Sequence, residues 1–155
     1  MYFQTDYPLI LAQLKALTES ERDTIANLAN ASALLYMNLE EVNWAGFYLV
    51  RDGGLVLGPF QGKPACIRIA FGRGVCGTAA ASGDAQVVED VHTFPGHIAC
   101  DAASASEIVI PVFRRGVLKA VLDIDSPLTG RFTGEDREGL EACAALLGEA
   151  CSWDI

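Results

Sequence analysis

One cysteine, Cys100, stands among two histidines, four acids and several hydroxyl and small residues in the segment Glu89-Asp-Val-His-Thr-Phe-Pro-Gly-His-Ile-Ala-Cys-Asp-Ala-Ala-Ser-Ala-Ser-Glu107. A thiol becomes a nucleophile when a nearby cation or a set of backbone N–H groups stabilises its thiolate. His97 and the turn at Gly96 are the local groups that can supply either. Two further cysteines belong to the same half of the chain: Cys66, read as lying on a strand, and Cys76, read as part of the glycine-punctuated turn Gly72-Arg-Gly-Val-Cys-Gly77. Free cysteines are most often small buried hydrophobes, and from pattern alone that alternative stays open for both. Zinc is a weaker reading. Structural zinc ligands come in pairs roughly two to four residues apart, whereas nine and twenty-three residues separate Cys66, Cys76 and Cys100, so no metal is expected. Nothing local distinguishes a Cys–His hydrolase either.

Carboxylates supply the second chemical group. In Leu118-Lys-Ala-Val-Leu-Asp123-Ile124-Asp125-Ser-Pro, residues two apart on a strand share a face, so Asp123 and Asp125 point one way and Leu122 and Ile124 the other. Paired carboxylates repel unless a cation or a shared proton lies between them. This pair is therefore either the solvent-exposed end of a strand or the floor of a pocket for an ammonium group. Glu107 heads the neighbouring strand, and an acid kept from water has a raised pKa and can donate a proton at neutral pH. Trp44 and Tyr48, four apart on one strand, share a face and are either core or the wall of a small-molecule site.

These groups need a scaffold, and the patterning predicts one. Two helices, about 7–17 and 20–39, open the chain, the second with Ser20 and Asp23 at its N-cap. Strands follow at 43–51 and 55–57, joined by Asp52-Gly53-Gly54, and a third at 65–70. A short alanine-rich helix ends near Ser82-Gly83, a strand covers 86–89, and a second hairpin pairs 107–114 with 117–125 across Arg115-Gly116. Thr133 and Asp136 cap a final helix that places Leu140, Cys143, Ala144, Leu147 and Cys151 on its apolar side. Cys143 and Cys151 read as packing residues. The element order predicts an α+β fold, a central antiparallel sheet flanked by N- and C-terminal helices.

Composition narrows the partners. The 155 residues are expected to form one domain, 1–155, large enough to bury roughly 70% of its unfolded surface. A net charge of −9 with scattered basic residues disfavours nucleic acid. No apolar run approaches a membrane span, and the N-terminus lacks the basic start and cleavage site of a signal peptide, so a cytoplasmic location is expected. Five cysteines are odd for a disulfide framework, which favours reactive thiols over structural bridges.

Six stretches, taken together and in order, resemble one family: Asn43-Trp-Ala-Gly-Phe-Tyr48, Leu57-Gly-Pro-Phe-Gln-Gly-Lys-Pro-Ala-Cys66, Gly72-Arg-Gly-Val-Cys-Gly-Thr78, Asp90-Val-His-Thr-Phe-Pro-Gly-His-Ile-Ala-Cys-Asp101, Ser104-Ala-Ser-Glu-Ile-Val109 and Leu122-Asp-Ile-Asp-Ser126. The chain is similar to the free methionine-(R)-sulfoxide reductases, single GAF-domain enzymes. The resemblance implies a homodimer that reduces the R epimer of free methionine sulfoxide without a cofactor, with thioredoxin returning the electrons. It implies that Cys100 attacks, Cys66 resolves and Cys76 takes part in recycling. Glu107, Asp123 and Asp125 would form the acidic pocket, and Trp44 and Tyr48 its aromatic wall. The alternative from another class is a GAF-type sensor of a small ligand or of redox state, without turnover.

Overall fold

The computed structural model describes residues 3–97 and 103–155. Helix α1 spans Tyr7–Thr18; the Asp6 carboxylate accepts from the Leu9 N–H, and Pro8 sits in the first turn, where its missing N–H costs nothing. Helix α2 spans Thr24–Asn38 and starts later than expected. Ser20 lies in the turn after α1, the Glu21 carboxylate takes the Asp23 N–H, and Asp23 alone caps the helix by accepting from Ala26 N–H. Then come β1 (Trp44–Arg51), β2 (Gly54–Gly62), β3 (Arg68–Ala70), α3 (Gly74–Ser82), β4 (Gln86–Val88), a 3-10 turn at Val91–Thr93, β5 (Ser106–Arg114), β6 (Val117–Ser126) and α4 (Gly134–Ala150).

Among the described residues the strands form one sheet in the order β3-β2-β1-β6-β5-β4, and each neighbouring pair runs antiparallel. The fold is the expected α+β architecture. Both hairpin turns, Asp52-Gly53 and Arg115-Gly116, hold two consecutive residues at positive φ, which matches the right-handed twist of the strands they join.

Strand periodicity divides the core in two. Ala45, Phe47 and Leu49 of β1, Ile108, Ile110 and Val112 of β5, and Leu122 and Ile124 of β6 point toward α1, α2 and α4 and pack there with Leu14, Leu28, Leu35, Leu140 and Leu147. The alternate residues, Trp44, Tyr48, Val109 and Val121, face the opposite side and meet Val75, Cys76 and Ala79 of α3. Each fully buried aliphatic side chain contributes about 1.5–3 kcal/mol, so a one-residue slip of β6 would exchange its apolar and acidic faces at prohibitive cost. Cys143 and Cys151 are fully buried in the first core, as expected of packing residues; burial pushes the Cys143 thiol up to about 11 and raises that of Cys151. No helix among the described residues is long and apolar enough to cross a membrane.

Helix α4 carries the expected Thr133–Asp136 capping box. Asp136 also accepts from the Tyr7 hydroxyl at 2.6 Å and pairs with buried Arg131 at 3.1 Å, which ties α4 to α1 through a fully partnered carboxylate. On its sheet side, α4 passes so close to β5 that a Cβ at Gly148 would run into the Phe113 carbonyl oxygen. Backbone cannot step aside as a side-chain tip can. Gly148→Ala is expected to cost at least ~1–3 kcal/mol, seen as a lower denaturant midpoint with an unchanged m-value.

Two expected placements change. Cys66 is not on a strand: β3 begins only at Arg68, and residues 63–67 run irregularly. Pro64 lacks the donor that a ladder needs, and two carbonyls of this segment bond to side chains, Trp44 Nε1–H donating to Lys63 and the Tyr48 hydroxyl to Cys66, while that of Ile67 takes the Leu57 N–H. Cys76 lies in the first turn of α3 rather than in a free glycine turn.

Candidate active site

β1, β5, β6, the start of α3 and the segment between β2 and β3 enclose a cavity of about 50 Å³ on the face of the sheet away from α1, α2 and α4. Trp44, Tyr48, Cys76, Glu107, Asp123 and Asp125 all line it, so six of the eight singled-out residues converge on one space. Cys66 packs beside this second core, half-buried and disulfide-bonded. Cys100 lies outside the described residues.

The register explains the convergence of the acids. Glu107 pairs with Asp125 across β5 and β6, and Asp123 faces Val109 on one side and Gly46 on the other. All three carboxyls therefore leave the sheet on one face. Glu107 and Asp123 are nine-tenths or more buried. Burial raises the pKa of Glu107 well above the ordinary carboxyl range, and the charges of Asp123 and Asp125 push it further the same way. Burial also raises Asp123, against hydrogen bonds from Glu107 and Cys76 and the field of His97 that favour its charged form. Both shifts oppose ionisation, so the cluster favours holding a proton at Glu107.

Cys76 approaches Glu107 Oε2 at 4.0 Å. Burial, then the charges of Asp123 and Glu107, raise its thiol well above the usual value. It is a protonated thiol at neutral pH, not a thiolate awaiting an electrophile.

The aromatic wall is built on β1. Trp44 stacks between Tyr48, with centroids 6.0 Å apart, and Phe60 of β2, at 5.1 Å and an interplanar angle of 14°. Gly46 sits between Trp44 and Tyr48 on the same face, and the Phe60 Cβ fills the space a side chain there would need. Burial and the surrounding acids push the Tyr48 phenol up, so it stays a neutral donor, bonded at 2.8 Å to the Cys66 carbonyl.

Several lining residues went unpredicted as a set. Lys63 and Arg73 bring two cations to a pocket otherwise read as acidic, and Ser104, which accepts from Asn43 Nδ2 at 3.4 Å, closes one side. Gly-Lys-Pro and Gly-Arg-Gly are the only local signals for those cations, and neither is specific. His97 also lines the pocket; burial and His92 lower its pKa against the pull of Asp123, so it is not a standing cation at neutral pH.

A family model described as the GAF domain matches residues 9–151. The free methionine-R-sulfoxide reductase of Escherichia coli K12 is 60% identical over 132 residues, covering 85% of this chain and 80% of its own. Among solved structures, fRMsr of Staphylococcus aureus in complex with substrate is 50% identical, with a TM-score of 0.92 and coverage of 97% of this chain and 98% of that one. Free methionine-R-sulfoxide reductase from Neisseria meningitidis, in complex with its substrate, is 43% identical, with a TM-score of 0.90 over 97% and 93% of the two chains. Fold and sequence agree across nearly the whole length: the chain belongs to the free methionine-R-sulfoxide reductase family of GAF domains.

Proposed function

We propose that this chain reduces the R epimer of free methionine sulfoxide to methionine. The observation that carries the reading is a buried Glu107 flanked by Asp123 and Asp125 in the cavity that the Trp44–Tyr48 wall also lines. A sulfoxide sulfur accepts a nucleophile only when its oxygen is protonated or strongly hydrogen-bonded. Glu107, held protonated, with Asp125 beside it, is the donor; Trp44 and Tyr48 receive the methyl sulfoxide end. Asp123 pairs with the substrate ammonium. The carboxylate meets backbone N–H groups near Cys100 and the positive charge of Arg73 and Lys63. A pocket that binds both ends of an amino acid shuts out methionine within a polypeptide.

The Cys100 thiolate attacks the sulfur while Glu107 protonates the oxygen; oxygen passes to the thiol, methionine leaves, and Cys100 becomes a sulfenic acid. The Cys66 thiol condenses with it, releasing water and closing a disulfide. A reduced dithiol protein, thioredoxin, reopens that disulfide by exchange and carries the two electrons in. That Cys66 is disulfide-bonded supports its role as resolver. Cys76, protonated and buried, serves recycling only, as a second thiol for exchange. The active form is a cytoplasmic homodimer, each subunit one GAF domain over 1–155, with no cofactor.

With dithiothreitol or thioredoxin supplied, the R epimer of free methionine sulfoxide is expected to yield methionine over many turnovers and the S epimer none. Absence of methionine from the R epimer would overturn the reading in favour of a sensor that binds or oxidises once. Equal rates for both epimers would remove the stereochemistry.

A further inference from the structure

We propose that the pocket also binds a thiophilic divalent cation, of which Zn²⁺ is the physiological match, between Cys76 Sγ and one carboxylate oxygen each of Glu107 and Asp123. These three atoms lie within 4.8 Å of one another, and all three residues are buried. Donors around a four-coordinate zinc stand roughly 3.3–3.8 Å apart, as follows from its ~2.0–2.3 Å bonds. The 4.0 Å between Cys76 Sγ and Glu107 Oε2 is already close to that. Binding calls for small side-chain rotations and releases the Cys76 and Glu107 protons to solvent.

A second observation concerns one atom: while Asp123 takes hydrogen bonds from Glu107 and Cys76, its Oδ1 is buried, in a residue only 5% exposed, and has no hydrogen-bond partner. A buried carboxylate oxygen is normally paired, hydrogen-bonded or bound to a metal. The cavity of about 50 Å³ that it borders has room for an ion and a water, and the His97 imidazole lines the same space as a further nitrogen donor. The donor set selects the cation class. Magnesium and calcium require six or more oxygens, which one thiol and two carboxylates do not provide, whereas zinc takes sulfur, oxygen and nitrogen together in a tetrahedron. The donors come from α3, β5 and β6, which is why no short ligand spacing marks them in the sequence.

On the reductase reading, the ion occupies the groups that receive the sulfoxide oxygen and the ammonium, and so competes with substrate. The metal site itself does not depend on that reading. The test titrates the folded chain, without added reductant so that the Cys66 disulfide is kept, with Co²⁺ as a spectroscopic substitute for Zn²⁺. A thiolate-to-cobalt charge-transfer band saturating at one ion per chain, and displaced by Zn²⁺, is expected. The band should vanish in Cys76→Ser and persist in Cys143→Ser, which alters a buried thiol in the other core. Asp123→Asn, which preserves shape, should keep the band but weaken affinity at least ~10-fold. Absence of the band, its survival in Cys76→Ser, or unchanged affinity in Asp123→Asn would overturn the proposal. Adding free methionine-(R)-sulfoxide should raise the Co²⁺ concentration needed for half-saturation. If the band forms and ignores the sulfoxide, the metal site stands and the substrate reading fails.

Discussion

Replacement of Cys100 by serine is expected to abolish methionine formation, by at least ~10⁴-fold, even when only a single turnover is asked for. A serine hydroxyl is not ionised near neutral pH and does not take up the sulfoxide oxygen. Cys66→Ser should behave differently in kind. It leaves the attacking thiol and the acid in place, so it should release about one methionine per chain in a burst and then stop, with a sulfenic acid trapped for want of a resolving thiol. The two variants are compared by rapid quench with excess free methionine-(R)-sulfoxide and dithiothreitol withheld, and the sulfenic acid is captured with a selective carbon nucleophile. A missing burst in Cys66→Ser, beside a preserved burst in Cys100→Ser, would exchange the two roles.

Glu107→Gln is expected to slow the chemical step by at least ~10²-fold. The amide keeps size and hydrogen-bonding ability and removes only the transferable proton. Because Glu107 holds its proton well above the ordinary carboxyl range, the wild-type rate should fall on the alkaline side as that proton is lost. The variant should lack this limb. Stability supplies an orthogonal readout. In the unfolded chain the group titrates near ~4.3; folded, it titrates higher. Between those values the native state binds more protons, so the contribution of Glu107 is fully present below ~4.3 and is lost as pH rises through the folded value. Glu107→Gln should therefore melt at a higher temperature than wild type at neutral pH, with the gap narrowing toward pH 4. A slow enzyme that is more stable is the signature of an acid kept in place for chemistry. An unchanged rate would mean that another group protonates the oxygen.

Much of this site could be read before folding because its logic is local. Asp123 and Asp125 alternate with Leu122 and Ile124 on one strand, and a period of two assigns them to opposite faces whatever the partners are. Asp52-Gly53 marks a hairpin by itself, and Thr133 with Asp136 marks a helix start. Long-range facts were not legible in that way. Cys76, Glu107 and Asp123 come from three elements, and spacing rules for zinc, built on ligands from one loop, pass over such an arrangement. Cys66 looked like part of a strand because Ile67, Arg68 and Ile69 suit one; the Pro64 that breaks the ladder and the two ring donors on β1 that replace it act across about twenty residues. Ser20 followed by Asp23 reads as an N-cap arrangement on residue type alone, whereas the chain puts Ser20 in the turn after α1 and leaves the cap to Asp23. The segment around Cys100 was legible by composition, and its residues 98–102 stay outside the described structure.

The hydroxyl of Tyr48 ends on the backbone carbonyl of Cys66, while its ring faces the cavity. One residue thus carries two separate duties, and evolution cannot adjust them independently. A lineage adapting this pocket to a bulkier or differently shaped sulfoxide would find position 48 an obvious place to change, yet any substitution that drops the phenol also removes one of the bonds that hold residues 63–67, beside those from Trp44 to Lys63 and from Leu57 to Ile67. On the proposed mechanism, substrate fit at Tyr48 is thereby tied to the placement of Cys66, so new substrates are easier to reach through Phe60 or Arg73, which touch the pocket or its wall.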